Sequence, residues 1–306
     1  MSSESISSRH LWAWLAVAMS APLAHFSGGS WLGLLALGLL CTGVTALLPD
    51  GMEQVRRSKI LCTVELVWLI LLLTRFAPLS AAYWPGEKSE FVVPAVLLAL
   101  AAYSCNKRPG RVAGVLLWIL FIMYIPVFAA GVKDVEFRWL IPESMELSAW
   151  MAPVLLLPAI GGLLGPRGKS GKWNLWILAF GVGLWLITAG VLSANTAQSV
   201  STPFRELSRS LKLGAASRFE SVISVAVTLG WFGLNSYLVQ CGMTCMEGME
   251  IHGKSTPWII AGAAYLLQYF NLRLDGTMIV VNTVLLWIII PSLLGQKRSI
   301  KNENNA

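Results

Sequence analysis

Apolar residues run almost without interruption through ten stretches of the chain, at approximately 11–26, 30–48, 58–79, 91–106, 111–130, 147–165, 172–195, 217–242, 256–272 and 276–294. Each approaches the ~20 residues that a helix needs to cross the roughly 30 Å hydrocarbon core of a bilayer. The first, fourth and ninth are the shortest, and no connection is long enough to hold a soluble domain. The pattern predicts an all-α integral membrane protein of ten transmembrane helices, forming one polytopic domain over residues 1–306.

Two stretches are interrupted in the same way. In the first, the apolar run from Leu11 to Ala24 has 14 residues, which as a regular helix covers only about 21 Å. Pro22 removes a backbone donor, and Gly28 and Gly29 permit backbone angles that other residues avoid. The reading therefore expects partly unwound chain over Met19–Ser30, which survives at membrane depth only if buried in protein or lining a watery cavity. In the sixth, Pro153, Pro158, Gly161 and Gly162 fall within one span. It lies five spans after the first, so the chain divides into repeats at 11–130 and 147–294. Repeats with an odd number of spans have opposite orientations in the membrane. Matching broken segments in two inverted halves point to the binding site of a secondary transporter, although prolines and glycines are also common in membrane helices generally. The candidate ligand-binding residues are Met19, Ser20, Ala21, Pro22, Leu23, Pro158, Gly161 and Gly162, where half-helix ends offer unpaired backbone groups to a small polar ligand.

Composition agrees with the membrane reading. The 306 residues are 56% hydrophobic and 13% charged, against about 25% charged in soluble domains. The net charge of +7 does not indicate nucleic acid, because the basic residues sit in short clusters between apolar runs. One alternating set of loops, with Arg9, Arg56, Arg57, Lys59, Lys107, Arg108, Arg111, Arg167, Lys169, Lys172, Lys254, Lys297, Arg298 and Lys301, holds 14 of the 23 Lys and Arg. The bias places both termini in the cytoplasm. Leu11–Ala18 after Arg9 also has the form of a signal-peptide core with Ala16-Val17-Ala18 as cleavage site, but the first segment has a counterpart later in the chain. The cysteines (Cys41, Cys62, Cys105, Cys241, Cys245) lie in or beside apolar segments without zinc-like spacing, as buried free thiols would.

Glu65 is the only carboxylate well inside an apolar run. An ionisable group in a span is costly and defaults to a functional hypothesis. Six residues from Lys59, about 9 Å along a helix, it is expected near the inner boundary within reach of water or a neighbouring cation, as a candidate coupling or pathway residue or else as a structural partner. Ser221, Ser224, Thr228 and Asn235 share one helical face. Such a stripe either lines a central cavity or cements helices together; Thr228 and Asn235 join the ligand-binding candidates, and Asn195 is similarly ambiguous. In the loop before segment 8, Thr202 suits an N-cap, Pro203 a first helical turn and Gly214 a stop. Phe204, Leu207 and Leu211 form one apolar face, with Arg205, Arg209 and Lys212 elsewhere, so an amphipathic helix on the outer surface of the bundle is expected. The run Cys241-Gly-Met-Thr-Cys245-Met-Glu-Gly-Met-Glu-Ile-His252 gathers soft ligands of the copper(I) kind without a recurring ligand spacing. No His-Glu-x-x-His, phosphate loop or nucleophile elbow occurs, so neither an enzyme nor a cofactor or metal is expected.

The sequence resembles the B-subunit family of spore germinant receptors, the GerAB-type permeases of the amino acid–polyamine–organocation superfamily. The match rests on Pro203-Phe-Arg-Glu-Leu and the Arg218-Phe219-Glu220 entry into segment 8, and on Ala21-Pro22 followed by Ser27-Gly28-Gly29-Ser30-Trp31. The chain departs from the family pattern where Ala16 and Ala18 replace glycines and Ser217 replaces a glutamate. The resemblance implies a LeuT-like fold with broken helices 1 and 6. It also implies an amino-acid-like nutrient as ligand, A- and C-type subunits as partners, and the cell membrane or spore inner membrane as location. A stand-alone amino-acid permease, proton-coupled through Glu65, and a non-transporting scaffold of the same fold are the alternatives.

Overall fold

The structure is a computed structural model that describes residues 8–47, 51–86, 88–105, 109–141, 147–164, 171–211, 219–272 and 274–295. The described residues are predominantly helical, with no strand among them. Each of the ten apolar stretches forms a helix: α1 (Ser8–His25), α2 (Trp31–Leu47), α4 (Lys59–Leu79), α5 (Ser89–Cys105), α6 (Pro109–Asp134), α7 (Met151–Ile160), α8 (Gly171–Leu192), α11 (Phe219–Gly248), α12 (Thr256–Tyr269) and α13 (Gly276–Val284). Three short helices lie in the connections: α3 (Gly51–Arg57), α9 (Ala194–Ser199) and α10 (Pro203–Ser210). Five segments, Lys59–Tyr83, Gly110–Asp134, Asn174–Leu192, Glu220–Gly248 and Gly276–Gly295, are long and apolar enough to cross a membrane; Trp31–Ala46, Ser89–Cys105 and Met151–Leu163 are apolar but shorter. Large apolar side chains such as Trp118, Ile122 and Ile60 stand exposed on the outside. That surface suits lipid and not water. Several apolar helices are thus compatible with a multi-pass membrane protein.

In hydrocarbon, backbone polar groups must be satisfied within the protein, which is what a helix does for most of its own. Hydroxyls in the spans do the same: Thr74, Thr188, Thr244 and Thr283 each donate to the carbonyl four residues back, the usual refuge for a threonine in an apolar helix. Helix starts follow their caps. Asp275 accepts from Thr277 N at 3.0 Å ahead of α13, and Ser193, in the left-handed region at φ 67°, accepts from Thr196 N ahead of α9.

Prolines do not break these helices. Pro22, Pro78, Pro94, Pro126 and Pro158 all lie inside helices that continue past them. This corrects the expected unwinding over Met19–Ser30. α1 runs unbroken to His25, and its 18 residues rise about 27 Å, close to a full crossing. The chain turns only at 26–30, after the helix tightens with Ser27 N donating to Ala24 O. α7 likewise tightens into a 3-10 turn over Gly161–Leu163 and does not unwind. A single proline costs one helical hydrogen bond, and neighbouring helices packed on all sides hold the rest in place.

α1 and α11 form the centre of the bundle and run antiparallel. Trp14 Nε1 donates to Gly233 O at 3.1 Å, while nearer the other end of α1 Ser20 and Ala21 press on Gly230. α4 also lies antiparallel on α11, from Phe76 against Trp231 to Cys62 against Gly248. α1 further packs on α6, α7 and α8; α11 on α5, α6 and α12; α2 on α7 and α8; α12 on α4 and α5; and α13 on α7. α3 sits at one end of the bundle, against α4, α11 and the turn after α7, and α10 sits against α1, α8 and α11.

Candidate functional site

The helix interior brings part of the predicted site together. Met19 and Leu23 of α1 and Pro158 of α7 line one cavity, with Gly38 and Thr42 of α2, Leu155 of α7, and Asn174 and Leu178 of α8. Its volume is about 10 Å³, room for about one water. Asn174 is buried and its Oδ1 has no partner, so a water there has an acceptor to bind. Pro22 and Pro158 lack an N–H, which leaves the Ala18 and Val154 carbonyls without their regular helical donors.

The other predicted residues point elsewhere. Ser20 donates to Val17 O at 2.7 Å, and Ser20 and Ala21 face α11. Gly161 lies against Tyr237, whose hydroxyl donates to Leu157 O at 3.2 Å, and Gly162 is half-buried in the turn that follows α7. Thr228 accepts from Trp84 Nε1 at 2.8 Å and donates to Ser224 O. The polar stripe is uneven along α11: Ser221 is exposed where the helix leaves the bundle, whereas Asn235 is fully buried. Asn195 is exposed on α9.

Asn235 is the least satisfied of them. Neither its Oδ1 nor its Nδ2 has a partner, and the indole N–H of Trp231, one turn away on the same face, has none either. Trp231 packs on His25 of α1 and Phe76 of α4, so the face they share opens toward the junction of those helices. Burying an amide without hydrogen bonds costs roughly 1–3 kcal/mol in proteins. An unmet donor and acceptor side by side at the centre of a bundle invite a polar guest.

Glu65 is 1% exposed, and its partner is not a cation. Trp287 Nε1 donates to its Oε1 at 2.6 Å. This corrects the expectation that Glu65 reaches water or a neighbouring cation: the nearest basic residue of its own helix, Lys59, pairs instead with Glu250 at 2.8 Å. Trp287 reaches inward from the π-helical turn Leu285–Ile289, which continues α13. Such a turn inserts one residue into a helix and is frequent at functional sites. Here it buries Trp287 completely while Leu285 and Ile289 stay exposed.

Two connecting helices close the ends of the bundle. α10 starts at Pro203 as expected, with Thr202 at the N-cap position but making no side-chain cap bond. Its Phe204–Leu207 face is buried against the bundle, with Phe204 tilted on Tyr124 at 5.7 Å. Arg205 donates to Glu220 Oε1 at 2.7 Å and to Ala82 O at 2.9 Å, and Arg209 pairs with Glu206 and Glu220. Gly28 is required beneath it, because a Cβ there would lie 2.1 Å from Ala197 O. Replacing Arg205 with alanine removes one of the two α10 ties to Glu220 of α11 and the tie to Ala82 after α4. The pair is partly exposed and discounted accordingly, so a loss of about 1 kcal/mol is expected, read as a lower melting temperature that salt reproduces in the wild type. At the other end α3 buries Met52 and Val55.

Sequence reasoning missed Trp287, Trp185, Asn174 and Trp231. Trp185 Nε1 donates to Leu23 O at 2.7 Å, the carbonyl that Ser27 abandons when α1 tightens, so an end expected to offer unpaired groups is in part capped. A buried indole N–H usually finds an acceptor, which is the available signal for Trp287 and Trp185. His252 is exposed beyond α11, away from the buried Cys241 and Cys245, and among the described residues no three His, Cys, Asp or Glu side chains are grouped to hold a metal. Gly214, Ser217, Arg218 and the loop residues Lys107, Arg108, Arg167, Lys169, Lys297, Arg298 and Lys301 lie outside the described residues.

Comparison with models of known protein families finds no match, and comparison with curated proteins finds no relative.

Proposed function

We propose that the chain is a transporter-type membrane protein of two inverted five-helix repeats that binds a small amino-acid-like solute where α1, α4, α7 and α11 meet. The observation that carries the ligand reading is Asn235, fully buried with neither amide atom partnered. The packing supports the architecture behind it. Pair the helices of the two halves in order, α1 with α7, α2 with α8, α4 with α11, α5 with α12, α6 with α13. The contacts α1·α8 and α7·α2 then exchange, as do α1·α6 and α7·α13, α5·α11 and α12·α4, and α4·α5 and α11·α12, while the central α1·α11 contact has no comparable α7·α4 counterpart. The connecting helices exchange as well: α10 meets α1, and α3 meets the turn after α7, at opposite ends. The loop charge bias puts the α3 end and both termini in the cytoplasm. By the resemblance to germinant-receptor B subunits, the solute is a nutrient sensed in a spore inner membrane together with A- and C-type subunits. Glu65 then serves as a coupling or pathway residue.

A specific observation favours a second reading. The cavity between Met19, Leu23 and Pro158 holds about one water, which is too small for an amino acid, as in a scaffold that keeps the fold without the site. The two readings separate in a thermal-stability panel of detergent-purified protein against amino acids and small nutrients. A solute that binds only the folded state stabilises it by about 2.7 kcal/mol at a hundredfold excess over its dissociation constant. Asn235→Leu is expected to erase that response without lowering the ligand-free melting temperature, since it removes two unpaired amide atoms and leaves no new group without a partner. A response that survives Asn235→Leu removes Asn235 from the site. Silence across the panel in folded protein supports the scaffold. Uptake into proteoliposomes then distinguishes a permease from a sensor.

A further inference from the structure

Where α11 comes down onto the junction of α3 and α4, the backbones nearly touch. A Cβ on Gly248 would lie 2.5 Å from Arg56 O and 2.7 Å from Cys62 Sγ, so only glycine lets the end of α11 settle there. The Cys62 thiol fills the gap, donating to Val55 O at 3.3 Å and lying 3.5 Å from Arg56 O. Cys245 lies one turn back from Gly248 on α11, so the same crossing that presses Gly248 onto Cys62 brings the Cys245 thiol to it. These are two buried cysteines from opposite halves of the chain, brought together where α4 crosses α11. Cys105, by contrast, is engaged with Ser236 O, and Cys41 lies on α2.

We infer that Cys62 and Cys245 are a peroxide-sensitive pair that closes to a disulfide tying α4 to α11 beneath α3. The inference is independent of the solute reading. Both thiols are buried, so oxidant reaches them only when α3 lifts, and α3 is built to lift. It has seven residues, far too few to be stable alone. Besides Met52, Val55 and the bonds of Cys62 to the Val55 and Arg56 carbonyls, the ties at this end are exposed: the Thr63 hydroxyl on Met249 Sδ and the ion pairs of Arg56 with Glu247 at 3.7 Å and Lys59 with Glu250 at 2.8 Å. Such pairs contribute little and weaken in salt, and segments with few buried contacts open well before the whole fold does.

Hydrogen peroxide supplies the oxidant. The Cys62 sulfur attacks one peroxide oxygen and the O–O bond breaks. The departing hydroxide takes the thiol proton and leaves as water, and Cys62 becomes a sulfenic acid. The Cys245 sulfur then attacks the Cys62 sulfur and displaces hydroxide, which leaves as a second water with the Cys245 proton. Two thiols lose two electrons to one peroxide, giving one disulfide and two waters. A small-molecule thiol reverses the bridge by exchange.

The test uses the full-length, fully reduced protein in detergent, treated with hydrogen peroxide, alkylated and mapped by peptide mass spectrometry without reduction. The expected product is the Cys62–Cys245 linkage, forming at least tenfold faster than the thiols of Cys41 or Cys105 disappear, faster still in 1 M salt, and reversed by dithiothreitol. Cys62→Ser and Cys245→Ser should each abolish it and Cys241→Ser should not. A dominant Cys241–Cys245 linkage, oxidation of Cys62 without a bridge, or a rate no faster than that of Cys41 overturns the inference. The wild-type linkage map is decisive even if a serine variant fails to fold.

Discussion

Replacing Gly230 with leucine is expected to abolish recovery of folded protein, and Gly230→Ala alone should lower the melting temperature sharply. At this position a Cβ would lie 2.6 Å from Ser20 Oγ, 2.7 Å from Ala21 Cβ and 2.9 Å from the Ala21 backbone nitrogen. The hydroxyl of Ser20 can rotate away, but the backbone of α1 cannot, so α1 and α11 must separate. Three residues on, a Cβ on Gly233 would meet Val17 Cγ1 at 2.3 Å, and a β-branched side chain in a helix has little rotamer freedom with which to yield. Overpacking a tight core costs about 1–3 kcal/mol per small insertion. Separating the central pair also breaks the bond from Trp14 to Gly233 O, so about 3 kcal/mol is a reasonable expectation for Gly230→Ala and more for leucine. Gly43, Gly114 and Gly262 are the controls: a Cβ at any of them meets nothing within 4 Å. Alanine there should be neutral or raise stability by up to about 1 kcal/mol through helix propensity. Thermal unfolding of the purified variants ranks them, and a Gly230→Ala protein that melts with the controls would mean that α1 and α11 do not cross at this point.

The fold was legible in sequence to the extent that one physical rule governs it. A bilayer-spanning helix needs only sustained apolarity, so the stretches at 30–48 and 58–79 became Trp31–Leu47 and Lys59–Leu79 with little change at either end. Pro203 after Thr202 fixed the start of α10 for an equally local reason. Proline was misread because its local signal is real but small. Pro22 forfeits one hydrogen bond, and whether the helix then breaks depends on neighbours such as Trp185, which lies 162 positions from the Leu23 carbonyl it caps. α3 escaped notice because Met52 and Val55 are its only buried apolar residues, too few to make a pattern. The site was legible by residue type and not by partnership. Glu65 stood out as a carboxylate in an apolar run, but its indole partner is 222 positions away, and nothing local distinguishes Trp287 from the other tryptophans. Asn235 stood out as polar; that both of its amide atoms lack partners is a property of packing alone.

The bond between Trp287 and Glu65 should show the largest effect of any side-chain pair on both stability and pH response. Trp287→Ala opens a large buried cavity and is expected to cost about 3–5 kcal/mol. Trp287→Phe fills most of that space but leaves the Glu65 carboxyl unpaired in the interior, at about 1–3 kcal/mol. Glu65→Gln keeps a carbonyl oxygen facing the indole and should fold nearly as well as the wild type. Glu65→Leu removes the group that needs the bond, so Trp287→Phe should cost much less in a Glu65→Leu background than alone. The double-mutant cycle should report a coupling of about 1–3 kcal/mol, and additive losses would mean that the two side chains do not share a hydrogen bond. Function separates from structure at Glu65→Gln, which preserves the fold and cannot exchange a proton. If Glu65 carries the coupling, that variant keeps its melting temperature while solute binding or uptake loses its dependence on pH. If binding, uptake and their pH profiles are unchanged in a folded Glu65→Gln protein, Glu65 is an internal strut for the π-helical turn of α13 and the coupling role is ruled out.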